Sequence, residues 1–150
     1  MDQEYIKDFY PKPNQWHDYE IIWTPDYVAW ELDGKEIRRI SGKEDVHFLN
    51  KKCHIMMNYW VTSKGGWGEG FEPTNMPWYA EYDFVEVHTW NGHGFDFHWR
   101  DDFDKPLDES RWKSSNGWGY DETTFWPNQV GTHNGLMIIT LDKPKGDEPE

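Results

Sequence analysis

Three acidic side chains in one short stretch are the residues best suited to chemistry in this sequence. Glu81, Asp83 and Glu86 stand in the spacing E-x-D-x-x-E. Enzymes that cleave glycosidic bonds with retention use two carboxyl groups about 5–5.5 Å apart, one as nucleophile and one as acid and base. Successive side chains of a strand point to opposite faces, so Glu81 and Asp83 share a face that Glu86 does not. A β-bulge would be needed to gather all three, and without it they are solvated acids on a strand rim.

Tryptophan is the second residue type that points to a ligand. The chain has 11 Trp among its 150 residues, more than a core of this size needs. An indole ring stacks on the face of a sugar, and a side-chain amide reads sugar hydroxyls. For any single Trp, core packing stays an open alternative, and an Asn at the end of an apolar run also forms turns. The amide candidate is Asn58, which follows the apolar run Ile55–Met57. The tryptophan candidates stand near Gly, Asn or Pro, and they are Trp60, Trp67, Trp118 and Trp126.

Two groups of potential metal ligands need separate treatment. Histidines five residues apart alternate between strand faces, and a joint with two glycines interrupts them, so a zinc site is disfavoured. The acids hint at calcium, but no Gly stands where a calcium-binding hand loop turns, and only oxygen ligands from scattered loops stay possible. The histidines are His88, His93 and His98, and the acids are Asp101, Asp102, Asp104 and Asp108.

The composition limits the partners of the chain. Fifteen basic residues against 28 acidic ones give a net charge of −13, which disfavours phosphate backbones and anionic membranes. No apolar run approaches the roughly 20 residues that span a bilayer. No signal peptide opens the chain, so either the protein stays inside the cell or the true N-terminus lies upstream. Cys53 is the only cysteine, and we interpret it as a small buried residue rather than a nucleophile.

The elements that must position these residues are predicted to be short strands. Asp33-Gly34 between two alternating runs is a strong hairpin signal, because a type I′ turn needs positive φ at both central residues. No amphipathic helix or internal repeat is apparent, and 144–150 reads as a polar tail. Short strands between turn signals predict an antiparallel β-sandwich. The predicted strands are Asp18–Trp23, Tyr27–Leu32, Lys35–Ile40, His54–Trp60, one continuous strand from Tyr79 through His88 to Trp90, Phe95–Phe103 and Leu136–Leu141.

Eight segments together carry a family resemblance. They are Trp16–Trp30, Asp33–Glu36, Ile55–Trp60, Tyr79–Val85, Phe103-Asp104, Ser110–Trp112, Gly117-Trp118 and Asn134–Leu141. In concert they resemble glycoside hydrolase family 16, and most closely the bacterial lichenases, which cut mixed-linkage 1,3-1,4-β-glucans. The resemblance implies an antiparallel jelly-roll β-sandwich of the concanavalin A-like kind, and an extracellular location.

The order of these segments is reversed relative to ordinary members of that family. The resemblance implies a partial domain over 1–143, in which 16–90 is the family's C-terminal part and 95–143 its N-terminal part. The joint is 91–94. Such an order is that of a circularly permuted lichenase, and it is feasible because domain termini often lie close together. A junction between two tandem domains is the alternative.

The middle of the family domain, with its W-D-E-I-D-I-E-type catalytic strand, is absent from this chain. Glu81, Asp83 and Glu86 mimic its spacing but align with the family's final strand, where these acids are not catalytic. The fold is therefore expected to be incomplete and this chain alone inactive, with no catalytic residue of its own.

The resemblance nevertheless implies binding residues. Asn58 and Trp60 match positions that line the glucan cleft, and Trp118 falls near an aromatic residue that flanks it. The side chain of Asp83 matches a ligand of a structural calcium, whose other ligands are backbone carbonyls near Asp102 and Gly135. Oxygen ligands suit a hard cation, and calcium would link the family's first strand to its last strand.

The sequence as a whole therefore predicts part of a retaining endo-β-glucanase that acts on 1,3-1,4- or 1,3-β-glucan. Its expected partner is the β-glucan polysaccharide, with neither nucleic acid nor membrane. Two alternatives stay open. One is a non-catalytic carbohydrate-binding module, and the other is half of a split enzyme, completed by a chain that carries the missing catalytic strands.

Overall fold

The structure, a computed structural model, describes residues 11–12, 14–42, 46–61, 76–120 and 123–142. Two predictions, the sugar platform Trp67 and the tail 144–150, fall outside the described residues. The contacts divide the chain into two compact units, which are treated separately below. The first is Met1–Ile55 with Trp90–Phe95, and the second is Met56–Thr89 with Asp96–Glu150.

The described residues form ten β-strands and one short 3-10 helix. Every strand pair whose register is defined runs antiparallel, so the prediction of an all-β antiparallel chain is confirmed. The strands are Tyr19–Trp23 (β1), Tyr27–Leu32 (β2), Lys35–Ser41 (β3), Trp78–Tyr82 (β4), Val85–Trp90 (β5), Phe95–Asp101 (β6), Trp118–Tyr120 (β7), Thr123–Phe125 (β8), Val130–His133 (β9) and Leu136–Leu141 (β10), and the 3-10 helix is Pro127–Gln129.

In the first unit, β1, β2 and β3 form a sheet in that order. Asp33-Gly34 joins β2 to β3 with φ angles of +50° and +72°, which is the predicted type I′ turn. Asp33 also ties the turn to the residues before β1. Its Oδ2 lies 2.8 Å from Nδ1 of His17, and its Oδ1 accepts a hydrogen bond from the backbone N–H of Asp18 at 3.0 Å.

The bond between His17 and Asp33 predicts a pH dependence of stability. The Asp33 carboxylate raises the pKa of His17 above its ordinary value of 6.5, and the hydrogen bond from His17 lowers the pKa of Asp33 below 3.8. The stabilisation is thus complete below pH 6.5 and is lost as pH rises through the raised pKa. In acid it is lost again through the lowered pKa of Asp33. In thermal unfolding, His17→Gln should unfold at a lower temperature than the parent at pH 5.5, and the difference should shrink by pH 9. A difference that grows with pH would contradict the assignment.

One edge of this sheet presents apolar side chains to solvent. Tyr19 and Ile21 on β1 are 69% and 68% exposed. Both belong to one face of the strand because they are two residues apart. By contrast Val28, Ala29 and Leu32 on β2 are buried. Within the described residues, β1 pairs only with β2, so its other edge offers backbone groups to a further strand.

In the second unit, β10 lies between β4 and β9. Asn134-Gly135, with φ angles of +51° and +75°, makes the turn from β9 to β10. Alternate residues of β10 are buried, namely Met137, Ile139 and Leu141, so this strand forms the centre of the unit's core. Two smaller sheets complete the described strands, β5 with β6 and β7 with β8.

Three sequence predictions are wrong in detail. The expected continuous strand from Tyr79 to Trp90 is two strands, because the backbone bends at Asp83 and Phe84. His54–Trp60 has no strand structure. Its Met56 is 81% exposed, and a strand needs a neighbour that pairs with it. Cys53 precedes this segment and is exposed instead of buried.

Candidate functional site

The bend at Asp83 and Phe84 separates the three acids of the E-x-D-x-x-E motif. Glu81 lies on β4, which pairs with β10, whereas Glu86 lies on β5, which pairs with β6. Asp83 lies in the bend between the two strands. The motif therefore does not occupy one strand face, and no bulged strand gathers its carboxylates.

Glu86 is held by two basic side chains. Its carboxylate lies 2.7 Å from Nε2 of His88 and 3.1 Å from Nη1 of Arg100. The hydrogen bond from His88, followed by that from Arg100, lowers the pKa of Glu86. A general acid needs a raised pKa so that it carries a proton at neutral pH. Glu86 is therefore an ion-pair partner of His88 and Arg100, and it does not suit the role of a general acid.

Arg100 connects this ion pair to the next loop. Its Nε donates to Oδ1 of Asp102 at 2.6 Å, and its guanidinium lies 3.8 Å from the centre of the Phe84 ring. The side chain of Asp102 is thereby engaged by Arg100, and the backbone carbonyl of Asp102 is the group that faces Gly135.

Oxygen atoms converge at the turn before β10. A Cβ placed on Gly135 would lie 3.1 Å from Oδ1 of Asp104 and 4.0 Å from the carbonyl oxygen of Asp102. Met137 pairs with Tyr82, the last residue of β4, and Asp83 follows it in the bend. The structure thus places the Asp102 carbonyl near Gly135, and Asp83 directly follows the β4 residue that pairs with Met137. The structure also places the Asp104 carboxylate near Gly135. In the sequence, Asp104 was only one of several neighbouring acids.

The backbone that presents Asp102 is itself firmly positioned. Phe103 has a φ of +54° and is only 2% exposed. Asp101 accepts hydrogen bonds from the Phe103 backbone N–H at 3.1 Å and from Nε1–H of Trp112 at 2.8 Å. A left-handed backbone costs energy in a bulky residue and persists where its surroundings enforce it. Burial of the Phe103 ring and the hydrogen bonds that Phe103 and Trp112 donate to Asp101 hold the backbone in this conformation.

These groups could hold a hard cation through main-chain and carboxylate oxygens. The described residues contain no group of three or more His, Cys, Asp or Glu side chains arranged for a metal. That finding concerns side chains alone, and calcium also takes backbone carbonyls as ligands. The oxygen chemistry around Gly135 therefore fits calcium better than zinc, which takes nitrogen and sulfur ligands.

The predicted sugar-binding residues lie in the second unit but on different segments. Asn58 is exposed and Trp60 is 36% exposed, both in backbone without regular structure. Trp118 begins β7. Trp126, 36% exposed, precedes the 3-10 helix, and the edge of its ring lies 3.5 Å from where a Cβ on Gly117 would stand. Partly exposed indoles are available for stacking on a ligand. Among the described residues, no helix has the length and apolarity needed to cross a membrane.

Comparison with known families and proteins identifies the class of the chain. Residues 3–86 match the family described as Glycosyl hydrolases family 16. This match covers more than half of the 150 residues, and the chain belongs to glycoside hydrolase family 16. Its antiparallel sheets are those expected of that family's jelly-roll sandwich.

Two relatives agree with this assignment. A protein named Beta-glucanase from Fibrobacter succinogenes is 27% identical over 151 residues, which cover 89% of this chain and 42% of that protein. A Xylanase/beta-glucanase from Ruminococcus flavefaciens is 34% identical over 80 residues, covering 53% of this chain and 9% of that protein. The chain therefore spans less than half the length of each of these relatives.

Proposed function

We propose that this chain is part of a retaining endo-β-glucanase and that it supplies a wall of the glucan cleft. The observation that carries the proposal is the alignment of 89% of the chain with a protein named Beta-glucanase, together with membership of the family. The substrate is a 1,3-1,4- or 1,3-linked β-glucan. Because such a polymer is too large to enter a cell, the enzyme acts outside it.

In this proposal the chain binds and orients the polysaccharide. Trp60 and Trp118 stack on pyranose rings, and the Asn58 amide hydrogen-bonds to hydroxyls. In a retaining enzyme one carboxylate attacks the anomeric carbon while a second protonates the leaving oxygen, and water then hydrolyses the glycosyl-enzyme. The acid role does not fall to Glu86, because His88 and Arg100 hold it ionised. The nucleophile role lacks a partner within the motif, because Glu81 lies on β4 in a different sheet. The two reactive carboxyls come from a catalytic strand outside these 150 residues.

A structural calcium belongs to the same proposal. The Asp83 and Asp104 side chains and the carbonyls of Asp102 and Gly135 would hold it, with Asp104 added from its packing against Gly135. When bound, calcium would neutralise the acidic side chains and link the loop after β6 to the turn before β10. Its role is structural, so it takes no part in the bond cleavage.

The permuted segment order is also part of the proposal. The family match ends at residue 86, whereas the alignment with the Fibrobacter succinogenes protein covers 89% of the chain. Some residues beyond 86 therefore align with the protein named Beta-glucanase but lie outside the segment 3–86 that matches the family. A permuted order would produce this difference, with 91–94 as the joint between the two parts.

A binding comparison tests the cleft assignment. Trp60→Ala should weaken retention on barley β-glucan in affinity electrophoresis by about fivefold or more, since stacking of a nucleic-acid base on an aromatic side chain is worth roughly 1–3 kcal/mol and a sugar ring stacks in the same way. Trp90→Ala is the matched control, because Trp90 is 38% exposed and Trp60 is 36% exposed. Equal retention of both variants and the parent would refute the assignment of Trp60 to the cleft.

One observation favours the split-enzyme alternative. Tyr19 and Ile21 are more than two-thirds exposed on β1, and apolar strand surface of that kind is usually covered. A separate chain that carries the catalytic strands could pair with this edge. Co-purification of the 150-residue chain with such a partner from the source organism would distinguish a split enzyme from a single longer chain.

A further inference from the structure

An open groove of about 670 Å³ lies beside β9 in the second unit. Its volume falls within the roughly 300–1,000 Å³ of typical ligand sites. The groove contains none of the predicted cleft residues. Its lining comes from the loop that follows β6 and from the 3-10 helix with β9, and it includes Leu107, Trp112, Ser114, Pro127, Val130 and Thr132.

The tryptophan of this groove is fixed in place by three contacts. Its Nε1–H donates to Oδ2 of Asp101 at 2.8 Å. The ring of Trp99 meets it edge-on with 6.1 Å between centroids, and Phe103 packs against it at 5.9 Å. An indole whose orientation is already set loses little conformational freedom when a ligand stacks on it. Trp112 is therefore a preorganised platform, and its polar atom is already satisfied.

The polar lining of the groove matches a neutral ligand rich in hydroxyls. Glu109 and Lys113 contribute one negative and one positive charge, and Ser114 and Thr132 contribute hydroxyls. The local charges cancel although the chain as a whole carries −13. Balanced local charges give the groove no strong preference for an anionic or a cationic ligand. A pyranose offers an apolar ring face for the indole and hydroxyls for the four polar groups.

We propose that this groove is an additional carbohydrate-binding site, which takes one or two pyranose units of a neutral β-glucan on Trp112. The proposal goes beyond the cleft of the proposed function, since the two sites share no residue. A second site on the same polymer would raise the effective concentration of glucan at the cleft without any new contact there.

Gly131 allows the groove to be filled without disturbing the fold. It lies on β9, lines the groove, and has no atom within 4 Å of the position that a Cβ would take. Gly131→Phe would place a ring in the groove. Gly94→Phe is the matched control, because Gly94 also has open space at its Cβ and does not line the groove. Ser114→Phe in the exposed loop is a second blocking variant from the other wall.

The experiment titrates the ¹⁵N-labelled 150-residue chain with a mixed-linkage β-glucan tetrasaccharide and follows the Trp112 indole N–H signal. We expect this signal to shift on binding. Both blocking variants should raise the dissociation constant obtained from that shift at least tenfold. Gly94→Phe should leave it unchanged, and Gly131→Phe should leave any ligand-induced shift of the Trp60 indole N–H signal unchanged, which separates this site from the cleft. An unmoved Trp112 signal, or equal binding by the blocking variants, would overturn the proposal. So would a dimer that Gly131→Phe disrupts, because the groove would then belong to a second copy.

Discussion

Residues 1–150 alone are expected to release no reducing sugar from mixed-linkage β-glucan. The acid of an acid–base pair contributes roughly 10²–10⁴-fold to a rate by itself, and the nucleophile adds its own share. The carboxylates of Glu81, Asp83 and Glu86 are separated by the bend at Asp83. The same spacing occurs at Glu31, Asp33 and Glu36, which are divided by the hairpin turn between β2 and β3. Glu86 also pairs with His88 and Arg100. The measurement is a reducing-end assay over many hours at micromolar protein.

Two controls test whether the missing activity reflects missing catalytic residues. Glu86→Gln should leave the background unchanged, and turnover that disappears in this variant would show that Glu86 is catalytic after all. Adding a second polypeptide that carries a family E-x-D-x-x-E strand should restore cleavage if the two pieces can pair. Restoration that depends on Trp60 would link the chemistry to the proposed cleft.

Calcium is expected to raise the unfolding temperature of the chain, and Gly135→Ala is expected to reduce the increase. A ligand at about 100 times its dissociation constant stabilises the folded state by about 2.7 kcal/mol, which corresponds to roughly 5–10 °C for a domain of this size. An added Cβ at Gly135 would lie 3.1 Å from Oδ1 of Asp104. That contact is tighter than most Cβ contacts in proteins, so the carboxylate must shift by a few tenths of an ångström from the proposed ligand set.

Gly34→Ala is a closely matched control for this experiment. Gly34 and Gly135 both occupy the second position of a hairpin turn, with φ angles of +72° and +75°. Both substitutions therefore carry the same left-handed strain of about 1–2 kcal/mol. Nothing lies within 4 Å of a Cβ at Gly34, so Gly34→Ala should lose stability yet keep the calcium response. An equal calcium response in both variants, or none in the parent, would exclude the metal site.

The parts of this fold that the sequence predicted correctly are those set by local chemistry. Asp33-Gly34 forms its type I′ turn because both residues tolerate positive φ, whatever the rest of the chain does. The strand Leu136–Leu141 was also predicted with the bounds that the structure shows. Its alternate residues are β-branched or long aliphatic side chains, and their period matches a strand with one buried face.

The parts that were missed depend on partners far along the chain. An apolar run such as His54–Trp60 becomes a strand only if another strand pairs with it, and its residues alone do not report that. The bend at Asp83 likewise follows from β4 pairing with β10 while β5 pairs with β6. The Asp104 carboxylate meets Gly135 across more than 30 residues of sequence, so its proximity could not be predicted from spacing.

The connection between β5 and β6 has a practical consequence. Its hydrogen bonds are local, since the Asn91 side chain accepts from the backbone N–H groups of His93 and Gly94, and the Asn91 N–H donates to the Gly94 carbonyl. A loop that satisfies its own polar groups can be lengthened at modest entropic cost. A protease recognition sequence inserted between His93 and Gly94 would therefore allow the chain to be cut at one defined peptide bond between β5 and β6.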